Sequence, residues 1–530
     1  MKNSISEEKG QVSEAADFET AVSHTGYGRF NILLLSAAFL GIIGNLFGST
    51  ALSYVLPAAQ CDLNLTNFDK GTLNAMIYAG SMSSPLLWGF LSDNLGRQKL
   101  LVFGYLLDGL CSLVSSLAQS VWFLQMFRYL LGFVGCGPYA ILVTYLAEFH
   151  ASQYRSRVIL LTSMFVSVAF VAVPALAWVL LPQPWSWILA EGSFELRIWN
   201  LFLLVCSIPS LLTGFLMLFF CESPKFLMSR GQRDEAMKVF QHVYSVNTGR
   251  KPDTFPVKEL VDELSLSTAG PTSVGASNKG VRIAVMAGWE QMRPLFGLKH
   301  LPTLTLVITL QLGALLGINT LRLWVPQIFS IIQEFSNSPG AEVIESTSFC
   351  SIMNFNKSIL AQNISKVENI SLTEECTVYV ADPWIYINSM IIGSTCGVCI
   401  IVASFLINAV GKRMLMIPCF FMAGMSVLTI YWSSNADLTL TLFSLFHGFN
   451  EVAISCLVGV TVDVFPTTLR AMALNVTMMF GRLGSLTGNL VFPVLLDLSC
   501  GAPFFFITVV LIICSLASWL LPVTKMKALE

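Results

Sequence analysis

The sequence predicts an all-α integral membrane protein with twelve transmembrane helices in two parallel-repeat six-helix bundles. Three observations lead there. Of the 530 residues, 54% are hydrophobic and 12% charged, about half the charge expected of a soluble globular protein. Twelve apolar runs each reach roughly the 20 residues that a bilayer core of about 30 Å demands of a helix. A short polar signature in the first half recurs in the second at a fixed offset, carrying Asp93 onto Asn408.

The first run, 30–56, follows 29 polar, partly acidic residues and is too long for a cleaved signal segment, so it reads as an uncleaved anchor. Runs at 71–91, 100–118, 121–145, 159–181 and 198–221 complete one set. After a polar stretch come 301–330, 383–407, 412–432, 436–460, 470–495 and 502–522. Backbone facing lipid must bond within its own segment, and the runs are too long for barrel strands and lack their alternation, so they are helices. The domains expected are a cytoplasmic tail 1–29, a bundle 30–221, a cytoplasmic linker 222–300, a second bundle 301–524 with an outer loop 331–382, and a tail 525–530. In the linker, GQRDEAMKVFQHVY sets Ala236, Val239, Phe240 and Val243 on one face, predicting an amphipathic helix. Residues 265–280, rich in Ser, Thr, Gly and Asn, have the composition of a disordered segment.

With both termini cytoplasmic, 23 of the 30 Lys and Arg fall on the cytoplasmic side, as the positive-inside rule requires. The glycosylation sequons at Asn64, Asn356, Asn363 and Asn369 then all lie outside. Cys350 and Cys376 share the outer loop, an oxidising compartment, and are a candidate disulfide. Most other cysteines sit in apolar runs as small hydrophobes.

The recurring signature is WGFLSDNLGRQK, with Gly89, Asp93, Gly96, Arg97 and Lys99 between the second and third helices. Its counterpart has Asn408, Gly411 and Lys412, and the same offset carries Glu148 onto Asp463 and Arg155 onto Arg470 without a gap. Parallel repeats of this kind build transporters that rock one half against the other around a central site. The signature resembles that of the major facilitator superfamily. Arg128 followed by Gly132, Gly135 and Gly137 is similar to its fourth-helix motif, and Glu222-Ser-Pro-Lys225 to the sugar-porter box after helix 6. Together with Trp199, Trp324-x-Pro326 and the sequon-bearing loop, these residues most resemble the synaptic vesicle glycoprotein 2 branch. There the first helix usually carries two acids, whereas this chain has Gly44-Asn45-Leu46.

The resemblance implies a cytoplasmic gate in which Asp93, Gly96, Arg97, Glu148 and Arg155 tie the halves together when the site faces outward, with Asp463 and Arg470 as the second-half equivalents. Polar residues within the membrane are costly and are candidates for substrate or coupling roles. Here they are Asn45, Asp108, Arg128, Arg322, Glu451 and Arg482, with Trp324 beside a helix-bending proline. Arg482 and Glu451 could instead pair with each other. His447 is more simply a packing residue. Tyr78, Tyr139, Phe165, Trp178 and Phe480 could line a cavity for a ringed solute.

A net charge of −2 gives no basic surface for nucleic acid. No nucleophile triad, metal-ligand cluster or phosphate loop is present, so no enzyme, metal or cofactor is expected. The expectation is a monomeric multi-pass protein of the plasma or a vesicle membrane, seated in a lipid bilayer. It would carry a small organic solute, an anion or zwitterion, by alternating access, with protons as a candidate coupling ion. The alternative is a non-transporting relative acting in vesicle trafficking or as a receptor.

Overall fold

Continuous apolar sequence makes these helices long. The computed structural model describes residues 15–190, 194–261, 293–336, 349–350, 382–433 and 435–522. The first bundle contains α2 (Arg29–Ala58), α3 (Asn67–Ser83), α4 (Pro85–Leu95), α5 (Arg97–Ser115), α6 (Val121–Glu148), α7 (Ser152–Leu180) and α8 (Ile198–Met217). The second contains α11 (Leu301–Ser336), α12 (Pro383–Val410), α13 (Lys412–Ile430), α14 (Ala436–Val464), α15 (Thr467–Leu498) and α16 (Ala502–Ser518). Among the described residues ten helices are long and apolar enough to cross a bilayer. The remaining two spans are the short α16 and a helix broken at Ser84 into α3 and α4, because Pro85 has no N–H to continue the ladder.

The two bundles pack alike. In the first, α3 lies on α6, α5 on α8 and α6, and α2 on α7 and α8. In the second, α12 lies on α14, α13 on α16 and α14, and α11 on α15 and α16. The bundles meet through α3 against α15 and α7 against α12, contacts that exchange with each other when the halves are swapped. Glycine stands at both repeated helix starts, with φ of 96° at Gly96 and 88° at Gly411, a conformation that excludes ordinary side chains.

One face of the molecule holds residue 29 and the loops at 96, 150 and 411; the opposite face, here the far face, holds the loops near 62, 119 and 184. The first of these faces carries a folded cap. α10 (Arg233–Thr248) buries Ala236, Phe240, Val243 and Tyr244, while Val239 is half-buried. Against it pack α9 (Pro224–Ser229), Phe255 and α1 (Phe18–His24), and β1 (Ala15–Ala16) pairs in parallel with β4 (Glu259–Leu260). Part of the predicted tail is thus folded onto the linker. Residues 265–280 lie outside the described residues. On the far face β2 (Ser186–Ala190) and β3 (Phe194–Arg197) form an antiparallel hairpin that apolar periodicity did not reveal.

The expected Cys350–Cys376 disulfide is corrected: Cys350 is bonded to Cys500, with Cα atoms 5.5 Å apart. Phe349 is buried edge-on to Phe504 and donates its N–H to the Ser433 carbonyl at 2.8 Å, which seats Cys350 on the start of α16 within bridging range. Cys376 and the sequons at Asn356, Asn363 and Asn369 lie outside the described residues; Asn64 is exposed on the far face, and Cys61 is disulfide-bonded.

Candidate translocation site

At the cap face the signature residues form a cluster within the first bundle. Glu222 Oε1 accepts the N–H groups of Arg97 (2.8 Å), Gln98 (3.0 Å) and Ser223 (2.9 Å), placing a carboxylate on the orphan donors that open α5. Arg97 Nε lies 3.7 Å from Glu148 Oε2, and its guanidinium sits 5.0 Å above the Phe226 ring. Ser223 Oγ donates to Glu148 Oε2 at 2.5 Å. Asp93 lies in α4. Arg155 stands apart from Glu148, donating to Glu19 Oε1 of α1 at 2.7 Å and to the Ala147 carbonyl at 3.1 Å. In this structure Arg97 and Glu148 hold α5 to α6 of one bundle, and the cap holds Arg155 through Glu19; the tie between halves is expected of the outward-facing arrangement. In the second bundle Lys412 Nζ pairs with Asp463 Oδ2 at 2.7 Å, and Arg470 lies on α15.

Inside the first bundle, Asn45 donates to the Gly135 carbonyl at 2.8 Å and Ser210 Oγ donates to Asp108 Oδ2 at 2.8 Å. A Cβ on Gly135 would sit 3.0 Å from both Asn45 Nδ2 and Asp108 Oδ1, so these groups meet where α2, α5, α6 and α8 converge. Arg128 is 2% exposed, and its guanidinium donates to the carbonyls of Gly48 (2.6 Å) and Ser49 (3.0 Å). It ties α6 to α2.

Between the bundles lies a cavity lined by Tyr54, Phe170, Arg322, Ser389, Cys396 and His447. Arg322 Nη2 donates to Glu451 Oε2 at 2.8 Å, and its guanidinium lies 4.2 Å from the centroid of Phe170, a ring of the opposite bundle. His447 is buried with Nδ1 2.9 Å from the Phe443 carbonyl. Arg482 does not pair with Glu451: its Nη1 reaches across to the Ser81 carbonyl (2.7 Å) and Cys136 Sγ (2.8 Å) of the first bundle. Trp324 packs on Phe492 in the core of the second bundle, ring centroids 4.9 Å apart.

Sequence reasoning named the Glu222-Ser-Pro-Lys225 box without assigning it to the gate. The signal was there, since Ser before Pro marks the start of a helix that points Ser223 back at Glu148. Phe170 and Tyr54 were missed, and as two aromatics among many they carry no distinguishing pattern.

A family model described as "Sugar (and other) transporter" matches residues 36–370 and 375–530. Synaptic vesicle glycoprotein 2C of Rattus norvegicus is 28% identical over 259 residues, 47% of this chain and 36% of that protein. Synaptic vesicle glycoprotein 2A of Homo sapiens is 27% identical over 330 residues, 60% and 44%. The chain thus spans less than half the length of the curated relatives it matches. The xylose transporter XylE from E. coli, in a partially occluded inward open conformation, superposes with a TM-score of 0.60 at 14% identity, covering 93% of this chain and 99% of that one. A D-xylose-proton symporter superposes at 0.63 with 15% identity, covering 93% and 97%. These two likenesses are of fold.

Proposed function

The chain belongs to the sugar (and other) transporter family, and from that premise we propose that it carries a small organic anion or zwitterion across a membrane by alternating access. The observation that carries this reading is the Arg322–Glu451 pair facing Phe170 across the inter-bundle cavity. A guanidinium offers paired donors to a carboxylate, a carboxylate accepts an ammonium, and an aromatic wall suits an apolar body. A solute carrying both charges would replace each partner of the pair with its own group, so the pair need not be left uncompensated while the solute is bound. Arg128 serves to fix α6 on α2, and Asp108, held by one hydroxyl beside Asn45, is the candidate proton carrier. The cytoplasmic assignment of the cap face rests on the Lys and Arg distribution.

Uptake of a mixture of zwitterionic and anionic metabolites into proteoliposomes tests the reading. Solute entry lost in Arg322→Ala supports it, and no entry under any ion gradient overturns it. That negative result would favour the second reading, a non-transporting protein of vesicle membranes. The names of the curated relatives and the uncharged Asn45 speak for it.

A further inference from the structure

The far-face seam between the bundles holds a cation that, among the described residues, lacks a counter-charge. Lys70, near the start of α3, is 2% exposed, and its Nζ donates to the neutral Gln60 Oε1 at 2.9 Å. The nearby acids are engaged elsewhere: Asp69 accepts the N–H of Thr66, Asp62 is paired with Arg197 and Trp199, and Asp497 accepts from Asn67. Removing an ammonium from water without compensation costs several kcal/mol. One helical turn along the same face stands Asn74, fully buried, with neither its Nδ2 nor its Oδ1 hydrogen-bonded among the described residues. Side chains four apart on a helix have Cβ atoms about 5–6 Å apart. The lysine's unused donors and the orphan amide N–H therefore lie on the same side of α3.

We propose that Lys70 and Asn74 form a site for a monatomic anion of the chloride class, held where α3 meets α15. The donors select the ligand. Two donor groups on adjacent turns of one helix can hold a monatomic anion, whereas a phosphate would bury several oxygen acceptors without partners, and the burial of Lys70 keeps a lipid headgroup away. At Gly71 the two helices are in contact: a Cβ there would stand 2.6 Å from Pro493 Cγ and 2.7 Å from the Asn489 carbonyl. Because the seam joins the two bundles at their far ends, the anion stabilises the arrangement in which those ends are closed. Nothing in this depends on the solute carried.

The test is the unfolding midpoint of the purified full-length protein in detergent, with chloride replacing gluconate at constant ionic strength. A ligand that binds only the folded state raises the midpoint saturably. The expected result is such a rise in the wild type, none in Lys70→Met, and a tenfold or greater increase in half-saturating chloride in Asn74→Ala. Phosphate substituted for gluconate leaves the midpoint unmoved. A wild-type midpoint indifferent to chloride, a rise undiminished in both variants, or an equal response to phosphate would overturn the site.

Discussion

Glu222 shows how one carboxylate can set a loop. Its three backbone donors belong to two segments far apart in sequence, and Gly96 must bend between them. A Cβ on Gly96 would lie 2.3 Å from Glu222 Oε2, and φ there is 96°. Gly96→Ala therefore meets steric and backbone opposition at once, and is expected to cost more stability than Glu222→Gln, which keeps the shape but weakens charge-assisted bonds worth about 1.5–3 kcal/mol. Thermal unfolding of the two variants in detergent checks the order. His150, just beyond α6, yields a pH prediction. It is 1% exposed, and burial, assisted by the positive charge of Arg155, holds its pKa below the ordinary value while a bond to the Leu146 carbonyl opposes this. The unfolded chain then binds more protons than the folded one below about pH 6.5, so stability falls as pH drops through that range. His150→Asn, which can retain the carbonyl contact, should flatten the unfolding midpoint between pH 7 and 5 relative to the wild type.

At the scale of elements, the cap is the part whose stability is separable from the membrane. Asn247 at the end of α10 donates to the Thr25 and Gly26 carbonyls and to Asn31 Oδ1, and accepts the Phe30 N–H, binding α10 to the entry of α2. Phe240 is 1% exposed between Phe18 and Phe255. Truncation to Ala at such a site costs about 3–5 kcal/mol. Phe240→Ala should make the chain around Arg250 and Lys251 markedly faster to cut with trypsin, while the bundles stay intact. Equal cutting rates would show that the cap does not depend on this ring. α10 was legible in the sequence because Ala236, Phe240 and Val243 recur at helical spacing, and the spans because apolar length is a direct demand of the bilayer. The partner of α10 was not legible: Phe18 and Val22 lie in a short polar stretch whose apolar face is too brief to register as a period. The same limit applies to the site. Arg322 and Glu451 were visible as costly charges within apolar runs, but which arginine pairs with Glu451 depends on how α11, α14 and α15 are turned. That is fixed by packing between distant segments, not by spacing along one.

For the whole molecule, the contacts between bundles gather from mid-span to the far face: Arg482 on Ser81, Phe170 against Arg322, Tyr54 near Tyr386, and Asn67 donating to Asp497 at 3.1 Å. At the cap face the ion pairs Arg97–Glu148 and Lys412–Asp463 each remain within one bundle. The far ends are thus closed on each other, and the rocking expected of parallel repeats must open them. Gly71 is where that closure can be opposed with one atom, since α3 and α15 approach so closely there that a methyl would overlap Pro493 and Asn489. Gly71→Ala penalises only the closed arrangement, and an equilibrium moves by as much as the two states differ in free energy. A penalty of about 1.4 kcal/mol shifts the ratio of open to closed tenfold. The measurement is the rate at which a cysteine replacing Tyr54 reacts with a membrane-impermeant maleimide supplied from the far side. That rate should rise severalfold when Gly71→Ala is added, and rise less with Gly89→Ala, where no atom lies within 4 Å of the added Cβ. If both substitutions leave labelling unchanged, the far-face seam is not the element that moves.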